Sequence, residues 1–299
     1  MRILLITISF MSVMACQKAK QDKNISQNNL NPIIGGEAVL DKAELSYSIV
    51  GIYDSEYNAI CTGSLIAPNL VLTAAHCINP NPSKMKIIFN VNLDKVIGTK
   101  NQLITKFYQR NVTDAKVNPV YTAPENEDKE TDVGDIALIK FEGELPEGYH
   151  PAEILSDASV LKRGVDITVA GFGVSYVDTE PINATKVKDL QDAIEYGEVY
   201  CFDEELTDCV SVEMGGDGIL RQTHALISSV QETEFHLDES KGHGTCNGDS
   251  GGPAYVTVQG KLYLTGVTSR GSALCDNVGV YTNVVPYAEW INLTAPLLK

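Results

Sequence analysis

From Ile33 onward, short apolar runs alternate with turn signals, and this rhythm is the feature that most constrains the fold. Runs of this length, rich in Val, Ile, Thr and Tyr, predict many β-strands. The runs are YSIVGIY, CTGSLIAPNLVLTAA, MKIIFNV, DIALIKF, VDITVAGFG, GILRQTHALISSV, AYVTVQGKLYLTGVTS and VGVYTNV. VQGKLYL predicts a hairpin around Gly260. Only VPYAEWINLTAPLL, near the end, has a helical pattern, and we expect its Trp290 to pack back on the body. We therefore predict an all-β barrel or sandwich, and the chain past Pro32 is long enough for two barrels in tandem.

The start of the chain has a different pattern, which predicts export. Residues 1–15 resemble a signal peptide, because Arg2 precedes ILLITISFMSVMA, an apolar run too short to span a bilayer comfortably. The stretch VMAC, ending at Cys16, resembles the lipobox of bacterial lipoproteins, in which the cysteine carries the lipid, although Met14 departs from the small residues usual there. Simple secretion is the alternative, and both predict an oxidising compartment. Residues 16–32 are polar after the cysteine, which predicts a lipid-anchor linker or propeptide.

Composition and cysteine count exclude some classes of partner. A net charge of -16 argues against nucleic acid as a partner, because phosphate binding needs basic stripes. Besides Cys16, an even number of cysteines in an exported protein predicts disulfides: Cys61, Cys77, Cys201, Cys209, Cys246 and Cys275. A zinc site is the rival interpretation, but no pair has C-x-x-C spacing and the histidines are scattered. The sequence therefore predicts neither a metal nor a cofactor.

Two acidic segments interrupt the strand pattern. Residues 176–217 predict a long surface excursion with a short helix near VKDLQDAIEY, pinned by a disulfide between Cys201 and Cys209. Residues 124–132, PENEDKETD, predict a second acidic loop. A calcium site is conceivable in either segment, but neither has the regularly spaced oxygen ligands of a calcium loop, so we expect solvated surfaces.

One motif, GTCNGDSGGPAY at residues 244–255, surrounds Ser250 with glycines. It predicts either a plain tight turn or a nucleophile displayed beside backbone N–H groups that point at a carbonyl oxygen. Upstream, VLTAAHC places His76 at the end of an apolar strand, and DVGDIALIKF places Asp135 at the mouth of another. Each signal alone is weak, since a lone histidine is often a core residue and a strand-edge aspartate often belongs to a turn.

Taken together, these motifs resemble a known family. The order His, Asp, Ser is that of chymotrypsin-type proteases, and TAAHC, DIALIK and GDSGGP resemble the motifs of trypsin/chymotrypsin-like serine endopeptidases, over Ile33 to about Leu298. The resemblance implies a protease domain at 33–299 built of two tandem six-stranded antiparallel β-barrels. The implied parts are an N-terminal barrel at about 33–145, a C-terminal barrel at about 146–285 and a C-terminal helix at about 286–297.

The resemblance also implies peptide-bond hydrolysis through an acyl-enzyme, with protein or peptide substrates and no cofactor. Ser250 would be the nucleophile and His76 the base that takes its proton, while Asp135 orients the imidazole. The backbone N–H groups of Gly248 and Ser250 would form the oxyanion hole. A catalytically silent homologue acting as a binding module is the alternative, but such proteins usually lose a triad member and all three residues are present.

The stretch NPIIGGEAV resembles the start of an activated protease in this family. Cleavage before Ile33 would convert a zymogen by freeing an α-ammonium group to pair with Asp249. Pro32 precedes the bond in place of the Arg or Lys common in trypsin-activated relatives, which implies a different activating protease as a partner. If Cys16 carries a lipid, the same cut would release the enzyme from the membrane.

The resemblance places six residues around the specificity pocket: Gly244 and Thr245 at the floor, Ser269, Arg270 and Gly271 along the wall, and Gly279 at the back. Gly271 and Gly279 leave the pocket open, which favours an apolar side chain at the cleaved position. Asp276 would instead favour a basic side chain, and Arg270, which stands where an aromatic residue is usual, would attract an acidic one.

The resemblance further implies two disulfides, one beside the base and one across the pocket. These are Cys61–Cys77 and Cys246–Cys275. The pair Cys201–Cys209 has no counterpart in the family and lies in the acidic excursion, which borders the cleft.

Overall fold

The computed structural model describes residues 33–41, 43–121 and 134–299. All of these belong to one compact unit. The predicted signal peptide, the lipid site at Cys16, the linker and the acidic loop at 124–132 lie outside the described residues. None of the helices in the described ranges is long and apolar enough to cross a membrane.

Strands dominate the described chain, as predicted. The strands are β1 (Glu37–Ala38), β2 (Ile49–Asp54), β3 (Ala59–Ala67), β4 (Leu70–Thr73), β5 (Met85–Ile88), β6 (Gln109–Val117), β7 (Ala137–Phe141), β8 (Asp166–Gly171), β9 (Tyr176–Ile182), β10 (Val199–Cys201), β11 (Cys209–Gly215), β12 (Arg221–Val230), β13 (Glu234–Asp238), β14 (Pro253–Val258), β15 (Lys261–Gly271) and β16 (Val278–Asn283). The helices are α1 (Gln102–Tyr108), α2 (Leu190–Glu195) and α3 (Ala288–Thr294).

The first barrel closes in the order β2-β3-β4-β7-β6-β5, and β5 returns to pair with β2. All of its strand pairs are antiparallel. Its interior is filled by branched and aromatic side chains, including Val50, Ile52, Leu65, Ile87 and Phe141. These residues come from the apolar runs that predicted the strands.

The second barrel contains β8, β12, β13, β16, β15 and β14, and its closure comes from the pairing of β12 with β8. Strand β1 adds to the edge of β12 through Glu37 opposite Gln222. The start of the described chain therefore pairs with the second barrel although it precedes the first. Two closed six-stranded antiparallel barrels confirm the predicted fold class.

The largest apolar cluster joins the two barrels. Leu72 and Leu138 of the first barrel share it with Phe172 and Val267 of the second. Helix α3 lies in the predicted C-terminal segment and contributes Ile291, while the partly buried Trp290 packs against the cluster. The helix confirms the sequence-based expectation and anchors the chain end to the body.

The hairpin predicted around Gly260 is present between β14 and β15. Val258 pairs with Lys261, and the two intervening residues, Gln259 and Gly260, have φ angles of 52° and 80°. Positive φ at both central positions is the requirement of a type I′ turn, and glycine meets it without steric penalty.

The acidic excursion is more ordered than a surface loop. It forms a separate three-stranded sheet, β10-β11-β9, with the predicted short helix as α2. A small cluster around Ala184, Ala193 and Val199 packs beneath it, next to the disulfide between Cys201 and Cys209. Apolar residues are sparse here, so the acidic residues obscured this pattern in the sequence.

Candidate active site

His76 and Asp135 lie in direct contact although they come from different parts of the first barrel. His76 follows β4 and Asp135 precedes β7, and these two strands pair, so their ends meet. His76 Nδ1 lies 2.8 Å from Asp135 Oδ2, and the His76 backbone N–H donates to Oδ1 at 3.1 Å. The carboxylate thus holds both the ring and the backbone of the histidine.

The hydrogen bonds around Asp135 favour its ionised form. Burial opposes ionisation, but hydrogen bonds and the charge interaction with His76, and a hydrogen bond from Ser269, outweigh it and lower the pKa of Asp135. Ser269 Oγ donates to Asp135 Oδ2 at 2.6 Å. Sequence reasoning assigned Ser269 only to the pocket wall, whereas the structure also joins it to the acid.

Ser250 stands on a turn whose shape depends on glycine. Gly251 has a φ of 80°, and a Cβ there would collide with the Thr73 side chain and the Thr62 carbonyl. Gly248 has a φ of 95°, and a Cβ there would lie 2.9 Å from the Cα of Gly173. Close backbone approach in an unusual conformation explains the glycines on both sides of the serine.

Thr62 of β3 ties the first barrel to this turn, a contact that sequence reasoning missed. Its Oγ1 donates to the Gly248 carbonyl at 3.0 Å and accepts from the Phe172 N–H at 3.1 Å. Its own N–H donates to the Ser250 carbonyl at 2.8 Å. Thr62 is fully buried, so these bonds are shielded from water.

Asp249 points away from solvent and is fully buried. Oδ1 accepts from the Gly173 N–H at 2.8 Å, and Oδ2 accepts from the Cys246 N–H at 2.9 Å. Burial is the main cause that raises the pKa of Asp249 to about 7, and the charge of Glu239 adds to it. These backbone bonds therefore offset only part of the cost of burying the carboxylate.

Ile33 lies near the same region. Its side chain is fully buried, and the Ile34 carbonyl accepts from the Gly244 N–H at 3.0 Å. Gly244 stands in the loop that leads to Asp249. The described start of the chain is thus already inserted beside the loop that carries Asp249 and Ser250.

Two cavities flank the turn that carries Ser250. One, of about 280 Å³, is lined by His76 and Ser250 together, along with the Cys61–Cys77 bridge. The other, of about 210 Å³, is lined by Ser250, Thr245 and the 269–272 segment. Ser250 therefore contacts both cavities, and His76 faces one of them.

The structure reassigns the charged residues proposed for the specificity pocket. Arg270 donates through both terminal nitrogens to the Glu234 carboxylate, at 2.8 and 2.9 Å. Asp276 is exposed, and its Oδ1 accepts from Ser272 Oγ at 3.2 Å. The charge of Arg270 is thus already neutralised by a buried glutamate.

Glu239, which sequence reasoning did not single out, fills the space between Gly244 and Gly279. A Cβ on Gly244 would lie 2.6 Å from Oε2 of this glutamate, and a Cβ on Gly279 would collide with Oε1. Of the two glycines predicted to leave the pocket open, Gly279 instead faces this carboxyl group, whereas a Cβ on Gly271 would lie 3.0 Å from the Val278 carbonyl oxygen. Glu239 directly follows β13, and the apolar pattern did not predict this strand, so the sequence held no usable signal for the residue.

The three disulfides have the predicted pairings: Cys61–Cys77, Cys201–Cys209 and Cys246–Cys275. In the described part of the chain, the group with metal-ligand spacing is His76 with Cys61 and Cys77. Both sulfurs of that group are bonded to each other, so they are not free thiolates.

Comparison with known proteins identifies the family of this chain. The family model described as Trypsin matches residues 33–291. The chain is 28% identical over 272 residues to alpha-fibrinogenase albofibrase of Trimeresurus albolabris, covering 89% of this chain and 88% of that protein. It is 28% identical over 287 residues to chymotrypsin-C of Bos taurus, covering 90% and 91%. It is also 30% identical over 237 residues to CLIP domain-containing serine protease B4 of Anopheles gambiae, covering 77% and 61%. Because the match extends across both barrels rather than over one motif, the chain belongs to the trypsin family of serine endopeptidases.

Proposed function

We propose that this endopeptidase cleaves peptide bonds through an acyl-enzyme formed on Ser250. The observation that carries the proposal is the 2.8 Å contact between His76 Nδ1 and Asp135 Oδ2, with His76 and Ser250 lining one cavity. A carboxylate at Nδ1 leaves Nε2 as the nitrogen that accepts the serine proton. This is the arrangement that activates a hydroxyl, which is a poor nucleophile at neutral pH.

The proposed reaction has two halves. Ser250 Oγ attacks the substrate carbonyl while its proton passes to His76, and the N–H groups of Gly248 and Ser250 bind the resulting oxyanion. His76 then returns the proton to the leaving amine, so the C–N bond breaks and the acyl group stays on Oγ. A water molecule repeats the sequence on the ester and frees the serine.

Asp135 serves both halves by remaining ionised. Its pKa is lowered by the bonds from His76 and Ser269 despite its burial, so it carries a negative charge at neutral pH. That charge stabilises the imidazolium formed after each proton transfer. Ser269 acts through Asp135 and is therefore a positioning residue.

We further propose that cleavage between Pro32 and Ile33 activates the protein. Ile33 has a φ of 52° in the uncut chain, a region in which a β-branched residue is strained by on the order of 1–3 kcal/mol. Cutting the bond removes the carbonyl that defines this torsion and creates an α-ammonium group. The Asp249 carboxyl, whose pKa burial raises to about 7, would be stabilised in its ionised form by that cation.

Export and anchoring complete the proposal. Relatives include proteins named as snake venom serine proteases, which supports a secreted enzyme. A lipid on Cys16 would hold the precursor at a membrane, and the cut before Ile33 would release the active form. Active enzyme that stays in the membrane fraction after that cut would refute the release step.

Covalent labelling with a fluorophosphonate tests the catalytic proposal. The forms compared are the intact chain, a chain beginning at Asn31, a chain beginning at Ile33, and the last with Ser250→Ala. We expect labelling only in the Ile33 form that retains Ser250. Absence of labelling in all forms would favour a silent homologue that binds without cleaving, and equal labelling of the intact chain would remove the activation step.

A further inference from the structure

A buried acid, Glu239, lies directly behind Thr245, one of the residues that line the cavity beside Ser250. Glu239 is only 1% exposed, and its Oε1 accepts from the Thr245 N–H at 3.1 Å and from the Tyr281 hydroxyl at 2.9 Å. Thr245 itself lines the cavity together with Ser250. A side chain that enters beside the nucleophile thus reaches the residue directly in contact with this carboxyl group.

One oxygen of Glu239 lacks a partner. Oε2 is buried and accepts no hydrogen bond from any residue that the structure describes. An unpaired buried carboxylate oxygen is costly, since such groups are normally hydrogen-bonded. A ligand with N–H donors and a positive charge would satisfy it.

The other charged side chains near the cavity already have hydrogen-bond or ion-pair partners. Arg270 is held by Glu234 in a two-point ion pair, so it presents no free cation to a substrate. Asp249 is fully buried, accepts two backbone N–H groups and is the proposed partner of the Ile33 α-ammonium group, and the exposed Asp276 is bonded to Ser272. Glu239 is therefore the acid best placed to meet a side chain in the cavity.

We propose that Glu239 is a specificity-determining residue and that its carboxylate selects lysine or arginine as the residue whose carbonyl is cleaved. The inference rests on the proposed function, because it assumes that Ser250 attacks from the same cavity. It resolves the three preferences left open by the sequence in favour of a basic side chain, and it assigns the charge to Glu239 rather than to Asp276. The acid comes from the end of β13 and enters through the gap left by Gly244 and Gly279.

The physical basis is pairing of opposite charges in a buried site. An ammonium or guanidinium group donates hydrogen bonds that Oε2 otherwise lacks, and such charge-assisted bonds are about twice as strong as neutral ones. A neutral side chain of the same shape leaves the carboxylate unpaired. Sites built to hydrogen-bond a substrate group discriminate strongly, by about 10⁴–10⁵, against analogues that lack it.

Titration of Glu239 makes the preference depend on pH. Burial raises the pKa of Glu239 to about 7, while the bonds from Thr245 and Tyr281 partly oppose that rise. The titratable groups that interact with it are Tyr281, by direct contact, and Asp249, by charge. Affinity for a cation should therefore increase as the pH rises through about 7, because the carboxylate form then predominates.

Matched peptides test the inference on the protein beginning at Ile33. The peptides differ only at the residue before the scissile bond, with arginine compared with citrulline, its neutral isostere, and lysine compared with norleucine. We expect kcat/KM to fall by at least about 100-fold for each neutral member. Glu239→Gln should remove this difference, and Asp276→Asn should preserve it.

The opposite pattern would overturn the inference. A wild-type enzyme that cleaves after citrulline or norleucine as well as after the cationic residue has no acid acting in its pocket. A Glu239→Gln enzyme that loses activity equally on every peptide would show a purely structural role for the glutamate. The arginine–citrulline comparison needs only the wild type, so it can overturn the inference even where the variant fails to fold.

Binding of benzamidine separates this inference from the catalytic proposal. Calorimetry on the Ile33 form carrying Ser250→Ala should show benzamidine binding that strengthens between about pH 6 and pH 8 and disappears with Glu239→Gln. The neutral analogue benzamide should bind far more weakly. Fluorophosphonate labelling without cation preference would refute the role of Glu239 alone, and cation binding without labelling would refute the role of Ser250 alone.

Discussion

Removing residues 1–32, so that Ile33 carries a free amino group, should change how the stability of this protein depends on pH. In the intact chain the Asp249 carboxyl is fully buried, and its pKa is raised to about 7. In an unfolded chain the same group has a pKa of about 3.9. A free α-ammonium at Ile33 would pair with the carboxylate and lower its folded-state pKa again.

The sign and size follow from linkage. Between about pH 4 and pH 7 the unfolded intact chain has released the Asp249 proton while the folded chain still holds it, so the free energy of unfolding falls as the pH rises. About three pKa units correspond to about 4 kcal/mol, reached above about pH 7. With Ile33 free, this loss should be absent, and the processed form should be the more stable one at pH 7.5 by a similar amount.

Urea unfolding followed by fluorescence of Trp290, the sole tryptophan, measures the effect at several pH values. Ser250→Ala prevents self-digestion in every form. A chain beginning at Asn31 is the matched control, because its amino group is two residues too early to reach Asp249. Asp249→Asn in the intact chain should also abolish the Asp249 contribution to the decline. Identical pH dependence for the Asn31 and Ile33 forms would refute the pairing.

Two further substitutions test residues that position the site. Ser269→Ala removes the 2.6 Å bond to Asp135. We expect kcat/KM to fall about tenfold or more, since bonds to charged groups contribute about 1.5–3 kcal/mol, and the pKa of Asp135 to rise. Ser272→Ala is the control, and a pH–rate profile of Ser269→Ala that matches that of the wild type would contradict this expectation. Thr62→Val removes the hydroxyl that serves the Gly248 carbonyl and a buried N–H, so we expect the free energy of unfolding to drop by about 2–6 kcal/mol and kcat to fall by up to ~10³. Thr62→Ser keeps the hydroxyl, so it should retain most of the free energy of unfolding, measured in urea, and most of kcat, measured with peptides. Equal losses in Thr62→Val and Thr62→Ser would argue that the hydrogen bonds of the hydroxyl are not the cause.

Strands with regular apolar content were predictable because their signal is local. The runs containing β2, β8 and β16 place branched residues at the spacing of a pleated strand, and a closed barrel buries them. Strand β6, QRNVTDAKV, and strand β13, EFHLD, were missed because polar residues dominate them. Their conformation comes from pairing with neighbours, which no local pattern records.

The sequence alone determined the motifs that carry His76, Asp135 and Ser250, because each is written in contiguous residues, and the resemblance of these motifs to a known family implied the two-barrel fold and two of the disulfide pairings. Only the tertiary structure decided what surrounds them. Glu239 lies between Gly244 and Gly279, which belong to other segments, and Ser269 Oγ donates to Asp135 across 134 positions of the chain. The burial, charge interactions and hydrogen bonds of a side chain depend on its neighbours in space. The residues proposed to set substrate specificity and the pKa of Asp135 can therefore be identified only once barrel closure has brought distant segments together.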